Sequence, residues 1–260
     1  MEQVIHFSHA NGFPSACYEE FFNCFPQPPF RFTYLNKTAH AHFKPSWGWH
    51  YLQKELAQAI TLHHRQPVVG LGHSMGGVLT LLTAQRQPHL YSKIILLDPP
   101  IFGPAKQWFM LLTYVLGISG RYPPASRAKK RRTFFESRQE ALSFFAAKPL
   151  FKHFTPTSLA NYVQHGLLPH PSNNTYYLAF DAKTEYRLFC TTPARYKKLP
   201  LTMPAYLIYS TQYEVLWKKD LEWIAHFFPT IKLLPFNAGH LFPFEKPLET
   251  AQLVQMLCAK

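Results

Sequence analysis

Acidic residues are scarce in this chain: its 260 residues carry 14 Asp and Glu against 27 Lys and Arg, a formal net charge of +13. Cysteine is scarcer still. Cys17, Cys24, Cys190 and Cys258 show no Cys-x-x-Cys spacing, which leaves a zinc or disulfide reading with little support. Neither a metal nor another cofactor is expected, and a reduced, cytoplasmic setting is the default. No stretch approaches the ~20 apolar residues of a membrane span. The opening Met1-Glu2-Gln3-Val4-Ile5 has no basic region and no long apolar segment, so a signal peptide is not expected. The chain has no internal repeat or low-complexity tract. No DNA- or RNA-binding module is recognisable, so the basic charge does not by itself imply a nucleic-acid partner.

What is present points to a globular enzyme. Hydrophobic residues make up 47% of the chain, and the length suits one α/β domain with an insertion. Residues 72–77 read Gly-His-Ser-Met-Gly-Gly, directly after Pro67-Val68-Val69-Gly70-Leu71 and directly before Val78-Leu79-Thr80-Leu81-Leu82. A β-branched run enters the motif and a helix-compatible run leaves it. Gly72 and Gly76 flank Ser74 in the G-x-S-x-G pattern of a nucleophile elbow. A serine on so sharp a strand-to-helix turn needs neighbours without a Cβ. The turn would lift the Ser74 hydroxyl above the sheet and bring the Met75 N–H, at a helix N-terminus, near the reacting oxygen.

The rest of the chain supplies the sheet this motif requires. Strands are expected at Gln3–Ser8, Arg31–Leu35, 67–71, Lys93–Leu97, Ala205–Tyr209 and Ile231–Phe236. Helices are expected at Ser15–Phe25, with Ser15 as N-cap, and at Trp47–His64, 75–87, Trp217–Phe228 and Leu248–Cys258. This alternation predicts a mainly parallel sheet of about six strands flanked by helices. Between Ile101 and Pro200 it stops. That stretch is Pro-punctuated and aromatic and holds fifteen basic residues against four acids. Helix-like pieces there, at Gln107–Leu116, Lys130–Ala147 and Thr157–Gly166, suggest a helical insertion over the sheet. The expected division is therefore 1–100 and 201–260 as core, with 101–200 as a basic, aromatic lid.

Asn237-Ala238-Gly239-His240 follows the last strand, which places His240 at the same sheet edge as Ser74 as a general base. With elbow, strand-end histidine and strand order together, the chain resembles the α/β-hydrolase family over nearly its whole length. His9-Ala10-Asn11-Gly12 resembles that family's His-Gly loop, with Ala10 where glycine is usual. The resemblance implies an oxyanion hole from the N–H groups of Asn11 and Met75. The stretch from Gly239 to Pro247 resembles the family's histidine loop, and the family's usual first hairpin is not expected here. The acid departs from pattern. In Tyr209-Ser210-Thr211-Gln212-Tyr213-Glu214, Tyr213 falls where relatives place an Asp, and Glu214 is one place late. Asp98, at the end of the strand after the nucleophile, is the favoured acid and Glu214 the alternative. The acid's task is to hold the imidazole tautomer and stabilise the imidazolium.

The resemblance implies a serine hydrolase acting on a small ester or thioester. Phe13, Trp108, Phe109, Phe134 and Phe135 are the candidate walls of an apolar acyl pocket. The basic cluster at Arg127 and Lys129–Arg132 reads as a solvated face, as a reader of anionic acyl substrates, or as a weak contact with an anionic membrane surface. A non-catalytic binding protein of the same fold, or a lipid-surface acyl hydrolase or acyltransferase, are the alternatives. Oligomeric state is not legible.

Overall fold

A computed structural model of the chain describes residues 2–39, 42–212 and 215–259. Six parallel strands form the main sheet: β1 (Gln3–Ser8), β2 (Phe30–Tyr34), β3 (Val68–His73), β4 (Tyr91–Leu97), β8 (Ala205–Ser210) and β9 (Ile231–Phe236). Their spatial order is β2-β1-β3-β4-β8-β9. The central strands are fully buried on β3 and nearly so on β4, while the edge strands β2 and β9 are half-buried. Parallel strands need cover on both faces, because the helices that cross over between them lie there. Side chains alternate accordingly. Ile95 and Leu97 enter one core with Phe7, Leu71 and Ile208, while Ile94 and Leu96 enter the other with Val68 and Leu207.

Helix α1 (Glu19–Asn23) and the C-terminal α11 (Pro247–Ala259) pack together on the first face. Helices α2 (His50–His63), α3 (Met75–Arg86) and α9 (Lys218–Phe227) belong to the second. Lys93 ties the two levels. Its Nζ donates to the carbonyls of Leu257 and Cys258 at 2.6 and 3.0 Å, so a cation satisfies the last turn of α11.

Several local expectations need correction. The first helix begins as a 3-10 turn at Ser15–Tyr18, and Ser15 is not its cap: its Oγ donates to the Leu35 carbonyl at 2.7 Å. Helix α2 starts only at His50, because Gly48 and Trp49 take positive φ values of 71° and 55°. Between β4 and β8, the segment that crosses over the sheet contains α4 (Pro104–Val115), α5 (Ala125–Lys129), α6 (Arg138–Ala146), α7 (Pro156–Gly166) and α8 (Ala182–Cys190). The helix expected at 130–147 is interrupted. Its first part leads into β5 (Phe134–Phe135), which joins β6 (Leu167–Pro169) and β7 (Tyr176–Leu178) in an antiparallel sheet of order β5-β7-β6. The crossover segment is thus mixed rather than purely helical. Ser137 sets the true start of α6 by accepting from the Glu140 N–H at 3.1 Å. Among the described residues no helix is long and apolar enough to cross a membrane.

Candidate active site

Strand register brings the carboxyl ends of β1, β3, β4, β8 and β9 to one edge. Ser8 pairs with Gly72, His73 with Leu97, Leu97 with Ile208, and Ser210 with Phe236. The residues that follow these ends come together there. Ser74 sits between β3 and α3 at φ 52° and ψ −116°, a backbone state costly for a non-glycine residue. Its N–H donates to the Leu97 carbonyl at 2.8 Å. The flanking glycines permit the turn. A Cβ on Gly76 would lie 2.0 Å from the Ser8 carbonyl oxygen, and one on Gly72 would lie 2.4 Å from that of Gly76.

The Ser74 Oγ lies 3.0 Å from His240 Nε2. On the other side of the ring, Nδ1 lies 2.6 Å from Asp98 Oδ2. A carboxylate can only accept, so Nδ1 carries the proton and Nε2 is free to accept from the serine hydroxyl. Asp98 is 0% exposed, and its second oxygen accepts the Ser210 N–H at 3.1 Å. Ser210, the last residue of β8, thus tethers the carboxylate that follows β4. Glu214, the alternative acid, lies outside the described residues. The loop carrying His240 is braced by Glu245, whose carboxylate accepts the Gly239 N–H at 2.8 Å, and by Lys246, which donates to the Asn237 carbonyl at 2.7 Å.

Two further side chains, given no role by the sequence reading, join this edge. His73, fully buried, lies with Nε2 2.9 Å from the His240 carbonyl and Nδ1 2.7 Å from the Tyr18 hydroxyl. The carbonyl accepts only, so Nε2 carries the proton and Nδ1 accepts from Tyr18. The Tyr18 oxygen in turn accepts the Ala10 N–H at 3.1 Å. Burial holds the His73 ring well below its ordinary pKa and pushes the Tyr18 phenol well above its own, so both are neutral. A chain of three hydrogen bonds therefore runs from the loop after β1 to the backbone of His240. His73 was visible inside the Gly-His-Ser motif; Tyr18 had no pattern to betray it.

Asn11 and Met75 both lie at this edge and are buried. Met75 is the first residue of α3, a position whose N–H has no intrahelical acceptor. The Asn11 side chain turns away and donates to the Glu185 carbonyl at 3.0 Å. Phe13 is buried among Phe151, Phe154, Tyr162 and Phe244, and Phe135 is buried against Phe144 and Phe145. Trp108, Phe109 and Phe134 are not brought into that aromatic cluster. They are exposed, Trp108 by 67%, and form no enclosed wall. Nor are the last two arginines of the basic cluster free. Arg131 pairs with Glu185 at 2.6 Å and also bonds the Tyr162 hydroxyl, while Arg132 pairs with Glu140. A shallow cleft of about 490 Å³ opens at the opposite, amino edge of the sheet beside Glu2, Pro67 and Ser92, away from these side chains.

The family model described as "Alpha/beta hydrolase family" matches residues 14–253. The chain belongs to the alpha/beta hydrolase family. Solved structures of this fold superpose over almost all of it. A thioesterase domain from the curacin biosynthetic pathway is 15% identical, covering 98% of this chain and 91% of its own at a TM-score of 0.71. E-2-(acetamidomethylene)succinate hydrolase is 14% identical, covering 100% and 92% at 0.74. A Mycobacterium tuberculosis esterase is 16% identical, covering 100% and 86% at 0.69. At these identities the likeness is one of fold. No curated protein sequence matches. As a member of this alpha/beta hydrolase family, the chain presents its serine, imidazole and carboxylate in a single hydrogen-bonded line across the sheet edge.

Proposed function

We propose that this protein is a serine hydrolase that cleaves a carboxylic ester or thioester through an acyl-enzyme on Ser74. The observation that carries this reading is the line Asp98–His240–Ser74, with contacts of 2.6 and 3.0 Å. In the proposed reaction His240 Nε2 takes the hydroxyl proton as Ser74 Oγ bonds to the carbonyl carbon. The N–H groups of Asn11 and Met75 receive the oxyanion, where one such donor is worth about 3–4 kcal/mol. Collapse breaks the bond to the alcohol or thiol, which leaves with the proton held by His240. Water then attacks the acyl carbon, gives its proton to Nε2, and releases the acid as Ser74 recovers its hydrogen. Asp98 stays ionised and fixes the ring throughout.

An apolar acyl group suits the surroundings better than a charged one. The guanidinium nearest Gly12 of the oxyanion loop is Arg131, and Glu185 already neutralises it. A substrate carboxylate would have to displace a buried ion pair to use that charge. The test is a fluorophosphonate probe followed by a panel of esters and thioesters of increasing chain length. Labelling is expected in the wild type and absent in Ser74→Ala. Wild-type protein that stays unlabelled between pH 6 and 9 would count decisively against an enzyme and for a binding protein of the same fold.

A further inference from the structure

Helix α4 wears its apolar side outward. Ala105, Trp108, Phe109, Leu112, Val115 and Leu116 follow a spacing of three and four, so they share one stripe about 16 Å long. Each of the six is exposed, with Leu112 at 56%, Val115 at 72% and Leu116 at 59%. Within the helix only Thr113 is buried. The usual amphipathic order is therefore reversed, although the helix is firmly seated. Lys106 donates to Asp220 at the start of α9 at 2.5 Å, the Gly103 N–H donates to the same carboxylate at 2.8 Å, and the Tyr114 ring packs, tilted, against Trp47 with centroids 4.1 Å apart.

The charge around this stripe has one sign. From Pro99 to Phe135 the chain holds seven Lys and Arg and no acid. Helix α4 packs against the 3-10 turn Ser119–Arg121, which packs against α5, so Arg121, Arg127, Lys129 and Lys130 border the same corner. Among the described residues none of these four pairs with a carboxylate. Contiguous apolar surface of this kind marks an interaction site in a folded protein. A second copy of this chain would meet it with the same unpaired positive charge. An anionic bilayer meets both features: acyl chains for the stripe and headgroups for the basic rim.

We infer that the exposed face of α4, with its rim of Arg121, Arg127, Lys129 and Lys130, docks this protein on anionic phospholipid membranes. Docking there sets the crossover segment, which begins just after Asp98, against the lipid surface. This inference stands on α4 alone and does not need Ser74 to be a nucleophile.

The experiment is co-sedimentation with phosphatidylcholine vesicles, with and without phosphatidylserine. Wild type and Ser74→Ala are expected to bind the phosphatidylserine vesicles alike and to bind pure phosphatidylcholine at least about tenfold more weakly, with the difference fading between about 0.1 and about 0.5 M salt. The triple variant Leu112→Gln, Val115→Gln, Leu116→Gln is expected to lose at least about tenfold in binding to charged vesicles. A second variant, Arg127→Gln, Lys129→Gln, Lys130→Gln, is expected to lose the preference for phosphatidylserine. Both should melt near the wild-type temperature, since they alter exposed side chains. Equal vesicle binding by wild type and the leucine-face variant would overturn the inference. So would a dimer in sedimentation velocity that this variant abolishes, which would assign the face to a second copy.

Discussion

Leu97, at the end of β4, has no exposed surface, whereas Leu112 and Val115, on the first helix after it, stand mostly in solvent. The difference runs through the molecule. Along the sheet edge, Asp98, His73, His240 and Ser74 are each committed to a named partner, and the apolar side chains beneath them are covered on both faces. The crossover segment is core-like only on its inner side, where Phe135, Phe145, Phe151 and Tyr162 join the first core. Its outer side carries apolar and unpaired basic groups together. Burial on the sheet supplies cohesion and a rigid frame for chemistry. The outer crossover surface contributes little to folding and is free to be used for recognition.

The largest expected effect breaks the line at the sheet edge. Asp98→Asn keeps the shape and the Ser210 contact but removes the acceptor that fixes the His240 tautomer. Turnover of a soluble ester should fall by roughly 10⁴-fold, measured as kcat after titrating active sites with the probe, while Glu214→Gln should change it little. A loss confined to Glu214→Gln would transfer the acid to the loop after β8.

These two regions also differed in how far their residues could be read beforehand. The elbow was legible because backbone crowding at Ser74 admits only glycine at 72 and 76, and that demand is written in the chain. His240 and Asp98 were legible as residues at strand ends, a position the parallel sheet makes meaningful. The small sheet in the crossover segment was not, since strands of two and three residues are too short to show a period. The break before α6 did carry a signal, Ser137-x-x-Glu140, but the basic run before it looked equally helical. Trp108 and Phe109 of α4 are expected as pocket walls but stand in solvent, because an aromatic side chain in a helix-like stretch does not say which way it turns. Tyr18 was invisible for a different reason: its partner His73 is 55 positions away, and only the fold unites them.

A second prediction tests whether the inner side of the crossover segment belongs to the core. Arg131 is largely buried with Glu185, and removing one member of such a pair strands the other charge. Arg131→Met should lower unfolding free energy by about 3–5 kcal/mol, read by urea denaturation. Adding Glu185→Gln should return most of it, because the uncompensated carboxylate is then gone. A loss of under about 1 kcal/mol in the single variant would show that this pair behaves as a surface contact, and the contrast drawn above would then stop at the sheet.

The smallest expected effect lies within the sheet edge itself. Tyr18→Phe removes one oxygen from the chain linking Ala10 to His240, leaving the Ala10 N–H and His73 Nδ1 without their partner. Unpaired buried groups of this kind cost about 1–3 kcal/mol each, so the melting temperature should drop. Stability alone would not show that Tyr18 positions the reacting groups. If it does, kcat per titrated site should fall by about tenfold with KM nearly constant, since about 1.4 kcal/mol of misplacement is enough for that. The acid limb of the pH profile should not move: His73 is neutral in both proteins, because burial and not Tyr18 holds its pKa well below the ordinary value. A variant that melts earlier but turns over normally at each titrated site would make Tyr18 a packing residue. His240 would then owe its position to Asp98, to the His73 contact with its carbonyl and to the Glu245 and Lys246 braces.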